Sequence, residues 1–118
     1  MPLTEDVAIV TLAQVEGATG ERSLANLGVD TASLLLAATN ALIDEARRPW
    51  RNLTEAAIAL VTVDAGLRKA ASLYVCMRIY RALPADAEGA QAKADAYERE
   101  LREELRTLTF RGTVDPTR

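Results

Sequence analysis

A run of apolar residues at three- and four-residue steps near the end of the chain constrains its fold most. Ala87, Ala90, Ala94, Tyr97, Leu101, Leu105 and Leu108 recur at the spacing of one helix face. The run predicts a helix from about Ala87 to Leu108, entered through a turn and cap at Pro84-Ala85-Asp86. Its opposite side carries acid-before-base pairs at i, i+4, Asp95 with Arg99 and Glu98 with Arg102. A second long helix precedes it, capped by Asp64 and stopped by Pro84. In that helix Ala70, Leu73, Tyr74, Met77 and Tyr80 make one apolar face, and Val75, Ile79 and Leu83 a second. A helix apolar on two sides has to be covered on both, so it is the expected centre of the fold.

The first half reads as shorter pieces. Asp30 caps a helix placed at about Thr31 to Arg48, with Leu35, Ala38, Leu42 and Ala46 in one stripe and Pro49 as its stop. Thr11-Leu12-Ala13-Gln14 has capping-box spacing and opens a short helix to about Glu16, closed by Gly17 and Gly20. Ser23 to Leu27 predicts one further turn, ended by Gly28. Pro2 to Val10 has no helical period and reads as an extended arm. Between Asn52 and Val63 the signals conflict. Thr54-Glu55-Ala56-Ala57 suits a helix start, whereas Ile58 to Val63 is rich in strand formers, and an extended arm or β-ribbon is the favoured reading.

The expected architecture is therefore all-α, one domain over residues 1–118. It is a small helical bundle with a long central helix and a long C-terminal helix. An extended loop or β-ribbon arm over 49–63 lies between the second and third main helices. Residues 1–10 form an arm, and 109–118 a flexible polar tail.

Composition narrows the chemistry. The chain has no His and one Cys, which excludes His-based acid–base catalysis, His/Cys zinc spacings and an internal disulfide framework. No enzyme, metal or cofactor is expected. A net charge of −3 argues against a protein that grips nucleic acid through a basic surface. The sequence shows neither a membrane-spanning apolar run nor a leader with a basic flank, so no membrane association is expected.

The individual candidates divide quickly. Glu98, Glu100, Glu103 and Glu104 meet no matching acidic pair on another helix and read as a solvated face. Cys76 sits mid-helix without a cationic neighbour and reads as a buried thiol. Gly17, Gly20 and Gly28 lack the strand–loop–helix context and the Lys of a phosphate loop. The Arg47-Arg48-Pro49-Trp50-Arg51 cluster admits two readings. Three guanidinium groups around an indole suit docking on an acidic partner, a phosphate backbone or an aromatic face. They equally suit a helix end whose arginines complement the dipole, with Trp50 over the core edge.

Two stretches together carry a resemblance. Ile9-Val10-Thr11-Leu12-Ala13-Gln14-Val15 and the later Asp30…Leu34-Leu35…Ala38…Ala41-Leu42-Ile43-Asp44-Glu45-Ala46 resemble the head–tail connector (adaptor, head-completion) proteins of tailed bacteriophages and prophages. The central helix, Val63-Asp64-Ala65…Leu67…Ala70-Ala71…Leu73-Tyr74…Arg78-Ile79-Tyr80, is similar to that of the Mu-like connector group. The stretch Gly17 to Val29 and the loop Asn52 to Val63 depart from the pattern.

The resemblance implies a structural virion protein at the head–tail neck, made in the host cytoplasm. It implies a homo-oligomeric ring, commonly of about twelve copies, under the portal protein, with a downstream neck or tail protein below it. DNA would pass through that channel without specific binding, which a mildly acidic chain suits. The 49–63 loop and the tail after Leu108 are then the expected contact segments. Their interface candidates are Arg47, Arg48, Trp50, Arg51, Ile58, Leu60, Val61, Phe110 and Arg111. Two other classes compete. One is a small helical enzyme of the chorismate-mutase type, which needs cations converging inside a bundle. The other is a regulatory module that dimerises through the 87–108 stripe.

Overall fold

The computed structural model describes residues 3–84 and 87–110. Ala85 and Asp86, in the expected cap of the last helix, and residues 111–118, including Arg111, lie outside the described residues. Five α-helices follow in order: α1 (Leu12–Thr19), α2 (Thr31–Ala46), α3 (Glu55–Ile58), α4 (Ala65–Ala82) and α5 (Ala90–Thr107). A single 3₁₀ turn, Leu24–Leu27, joins α1 to α2. The described residues contain no β-strand.

The helix starts are set by side chains that accept orphan amides. Thr11 Oγ1 accepts from the Gln14 amide at 3.2 Å while Gln14 Oε1 accepts from the Thr11 amide at 2.9 Å, closing the expected capping box. Asp30 and Asp64 accept from the amides of Ser33 and Leu67 at 3.2 and 3.0 Å. Two ends differ from the sequence expectation. Helix α1 runs through Gly17 to Thr19 and stops at Gly20, which adopts φ +78°. Helix α5 begins at Ala90 instead of Ala87, because Gly89 just before it is left-handed at φ +73°. Glycine carries no Cβ and takes that conformation without strain.

The 49–63 segment is not a β-ribbon. Thr54 Oγ1 accepts from the Ala57 amide at 3.1 Å and starts the single turn α3, so a local cap outweighs the strand-forming composition that follows. Beyond it Leu60, Val61, Thr62 and Val63 alternate out and in, as strand residues do. The Leu3 amide donates to the Val61 carbonyl at 3.2 Å.

The N-terminal segment is no free arm either. Leu3, Ile9 and Val10 are buried. Asp6 and Asn40 exchange two hydrogen bonds, 3.0 Å from the Asp6 amide and 2.9 Å from Asn40 Nδ2. Thr39, fully buried on α2, donates its hydroxyl to the Val7 carbonyl at 2.8 Å.

The long helices pack on α4, which contacts α5, α2 and α1. Small residues at these contacts (Ala70, Ala71, Ser72 and Cys76 on α4, Ala90 and Ala94 on α5, Ala38 and Ala46 on α2) let the backbones approach closely. Leu67, Leu73, Val75, Ile79 and Tyr80 are buried on different sides of the same helix. The second apolar face of α4 is thus covered by its own chain, with Val75 and Ile79 fully buried. The 87–108 stripe is spent in the same way. Ala90, Ala94, Leu101 and Leu108 are buried in the core that α4 and α5 share, with Ala87, Tyr97 and Leu105 of the same stripe partly buried against it. Among the described residues, every buried side-chain nitrogen or oxygen has a hydrogen-bond partner.

Leu67 has no exposed surface and sits one turn into α4. Leu67→Ala should remove about 2–5 kcal/mol of unfolding free energy, read as a lower urea midpoint with an unchanged slope.

Candidate interaction surface

Titratable side chains converge around Glu21, in the loop between α1 and the 3₁₀ turn. Tyr80 of α4 donates to its Oε2 at 2.5 Å, and Tyr97 of α5 donates to its Oε1 at 2.6 Å. Lys93 of α5 lies 3.4 Å from both oxygens and 4.8 Å from the centre of the Tyr80 ring. The two phenol rings stack with centroids 6.3 Å apart. Burial alone would raise the Glu21 pKa, but the hydrogen bonds from Tyr80, Tyr97 and Lys93 together hold it below the ordinary carboxylate value. Burial and the Glu21 carboxylate push both tyrosines up. Nothing here is poised to exchange a proton near neutral pH, and the oxygens of Glu21 are occupied. The cluster acts as a latch across three elements.

The sequence reading missed this latch. Glu21 lies 59 and 76 positions from its tyrosines. The available signal was Tyr80 and Tyr97 on apolar stripes, since a buried phenol needs a polar partner.

Cys76 is buried as expected, and burial pushes its thiol up to about 11, far from nucleophilic. Among the described residues no group of His, Cys, Asp and Glu has the arrangement to hold a metal ion. No helix among them is long and apolar enough to cross a membrane.

The arginine–tryptophan cluster divides by function. Arg47, at the end of α2, binds Glu55 at 2.6 Å, Glu5 at 3.0 Å and Asp44 at 3.6 Å, all on the surface. The Glu55 and Glu5 carboxylates raise its already high pKa. Arg51 is drawn inward, with its side chain only 13% exposed. Its guanidinium donates to the carbonyls of Leu105 and, at 2.6 Å, Leu108, meets Glu45 at 3.3 Å, and lies 5.1 Å from the Phe110 ring centre. It thereby satisfies carbonyls that the end of α5 leaves without helical partners, from a loop 54 residues earlier in the chain. Arg48 and Trp50 stay outside: the Arg48 guanidinium sits 5.4 Å over the indole, and Trp50 is 68% exposed.

The other interface candidates separate likewise. Ile58, Val61 and Phe110 are core residues, so this fold does not present them on its surface. Phe110 also shows that the expected flexible tail is packed at least to that residue. Leu60 stands out at 53% exposed. Trp50 is flanked by two shallow grooves against the end of α5. A groove of about 390 Å³ is lined by Glu45, Arg51, Arg102, Leu105 and Arg106, and one of about 250 Å³ by Leu53, Leu108, Thr109 and Phe110.

No family model, no curated protein and no solved structure matches the chain.

Two variants weigh these roles. Arg51→Ala should cost about 2–4 kcal/mol in urea unfolding, because it strips charge-assisted bonds from enclosed carbonyls, whereas Arg47→Ala should cost only a small fraction of that. Glu21 gives a pH signature. Its folded pKa lies below the unfolded value of about 4.3, so its stabilisation is complete above that pH and fades as pH falls through the folded pKa. Glu21→Gln should be less stable than wild type at pH 7 and converge with it in acid, by urea titration across that range.

Proposed function

We propose that the chain is a structural docking protein, a head–tail connector that joins copies of itself in a ring beneath a portal and carries the next neck component. The observation that carries this reading is the placement of exposed apolar surface. Among the described residues the two most exposed large apolar side chains are Trp50 and Leu60. Both lie on the 49–63 segment, the loop expected to contact adjacent subunits or the portal because it stands outside the helical core. An indole that remains two-thirds exposed on a turn held by Arg51 and α5 is a ready anchor for a protein partner.

Two physical features accompany it. The monomer completes its own core, so ring contacts would form between finished surfaces, as in heterologous head-to-tail assemblies. The chain is mildly acidic, and a conduit that must release DNA gains from a lining that does not hold phosphates.

Immunogold labelling of tailed particles induced from the source cells tests the proposal. Label at the neck is the expected result, and label absent from particles that contain portal would sink it. A Trp50→Ala/Leu60→Ala variant should keep wild-type helicity by circular dichroism and lose most of its incorporation into particles.

A further inference from the structure

The groove between Trp50 and the end of α5 combines an apolar wall with an unusual local charge. Trp50 and Leu105 supply the wall, and Arg51, Arg102 and Arg106 line the groove against a single carboxylate, Glu45. Glu45 is largely enclosed and already faces Arg51 at 3.3 Å and Arg48 at 3.8 Å, so its charge is answered. Arg102 and Arg106 are exposed and, among the described residues, engage only along their own helix, with Glu98 at 3.6 Å and Glu103 at 3.2 Å. Exposed pairs of this kind stabilise little and exchange readily for a better partner. Arg48 adds a further cation above the indole. Arg48, Arg51, Arg102 and Arg106 set against Glu45, Glu98 and Glu103 leave this corner one cation in excess, in a chain of net charge −3.

We propose that the Trp50 groove seats an acidic protein segment bearing one large apolar side chain. The indole and Leu105 hold the apolar group, while Arg48, Arg102 and Arg106 pair with its carboxylates. This deepens the docking reading and rests on it. A short acidic segment is favoured over a nucleic acid by range. A long polyanion meets the repulsion of the whole acidic chain, whereas a few carboxylates within a Debye length of about 10 Å meet only the patch. The aromatic wall also supplies a contact that phosphates do not use.

Trp50 is the chain's single tryptophan, so its emission reports on the surface around it, and the Arg102/Arg106 change assigns a response to this groove. The full chain is titrated with a short peptide alternating Glu and Asp around a central Phe, with a counterpart carrying Lys in place of the acids, and with a single-stranded DNA oligonucleotide. The acidic peptide should shift the emission to the blue, shield it from acrylamide, and lose its effect as salt rises. Arg102→Glu/Arg106→Glu should weaken that binding at least about tenfold, while the charge-matched Arg22→Glu/Arg99→Glu should not. An absent response at millimolar peptide, an equal response to the Lys peptide or to DNA, or binding indifferent to the Arg102/Arg106 change would each overturn the proposal. A blue shift on concentrating the chain alone would overturn it too, by making a second copy the occupant. The two readings fail separately. A chain missing from the neck that still binds the peptide loses only the connector role, and a neck protein deaf to the peptide loses only this site.

Discussion

Helix α4 is the constraint on which the rest of the structure depends. The three other long helices reach the core by packing against it, and its residues are buried around most of its circumference. Alanine, serine and cysteine at the contacts keep the axes close, while Leu67, Leu73, Val75 and Ile79 fill the space between them. A small domain buries only about two-thirds of its chain surface, so a single helix that serves every neighbour is an economical solution. It also leaves the domain self-sufficient, and any assembly has to be built from the outer surface.

Two polar devices then fix what hydrophobic packing leaves loose. Arg51 ties the turn after α2 to the end of α5, and Glu21 ties the loop after α1 to α4 and α5. Each supplies a charged partner to groups that would otherwise be enclosed without one, and such bonds are directional where apolar contacts are not. Arg51 also decides the character of its neighbourhood. Because it turns inward and Phe110 lies over it, Trp50 is left facing out.

The helical skeleton was legible in the sequence because its signals are local. Thr11, Asp30 and Asp64 cap the amides within three residues of themselves, and Gly20 and Gly28 provide left-handed stops. The same locality hid the rest. Composition favoured an extended Ile58 to Val63, yet one threonine hydroxyl three residues from an amide was enough to start α3. Residues 3–10 look featureless until Thr39 and Asn40 on α2 bind their backbone and Asp6. The candidate surface was half legible. Of the residues named on the 49–63 segment, Trp50 and Leu60 are exposed while Ile58 and Val61 are buried, and the inward turn of Arg51 depends on carbonyls at the end of α5 more than fifty residues away. No spacing rule reports a contact of that separation.

A hub with spokes also has a characteristic way of coming apart. Helix α1 touches α4 and the 3₁₀ turn, and Glu21 between them bridges to α5. Breathing of the native state is then expected to divide along that line: α1 and the 3₁₀ turn can loosen as one cooperative unit while α2, α4 and α5 stay closed and residues 3–10 stay tied to α2. Amide protons in α1 would then exchange with solvent well before those at the middle of α4. The molecule would keep a rigid spine while its front edge samples open forms.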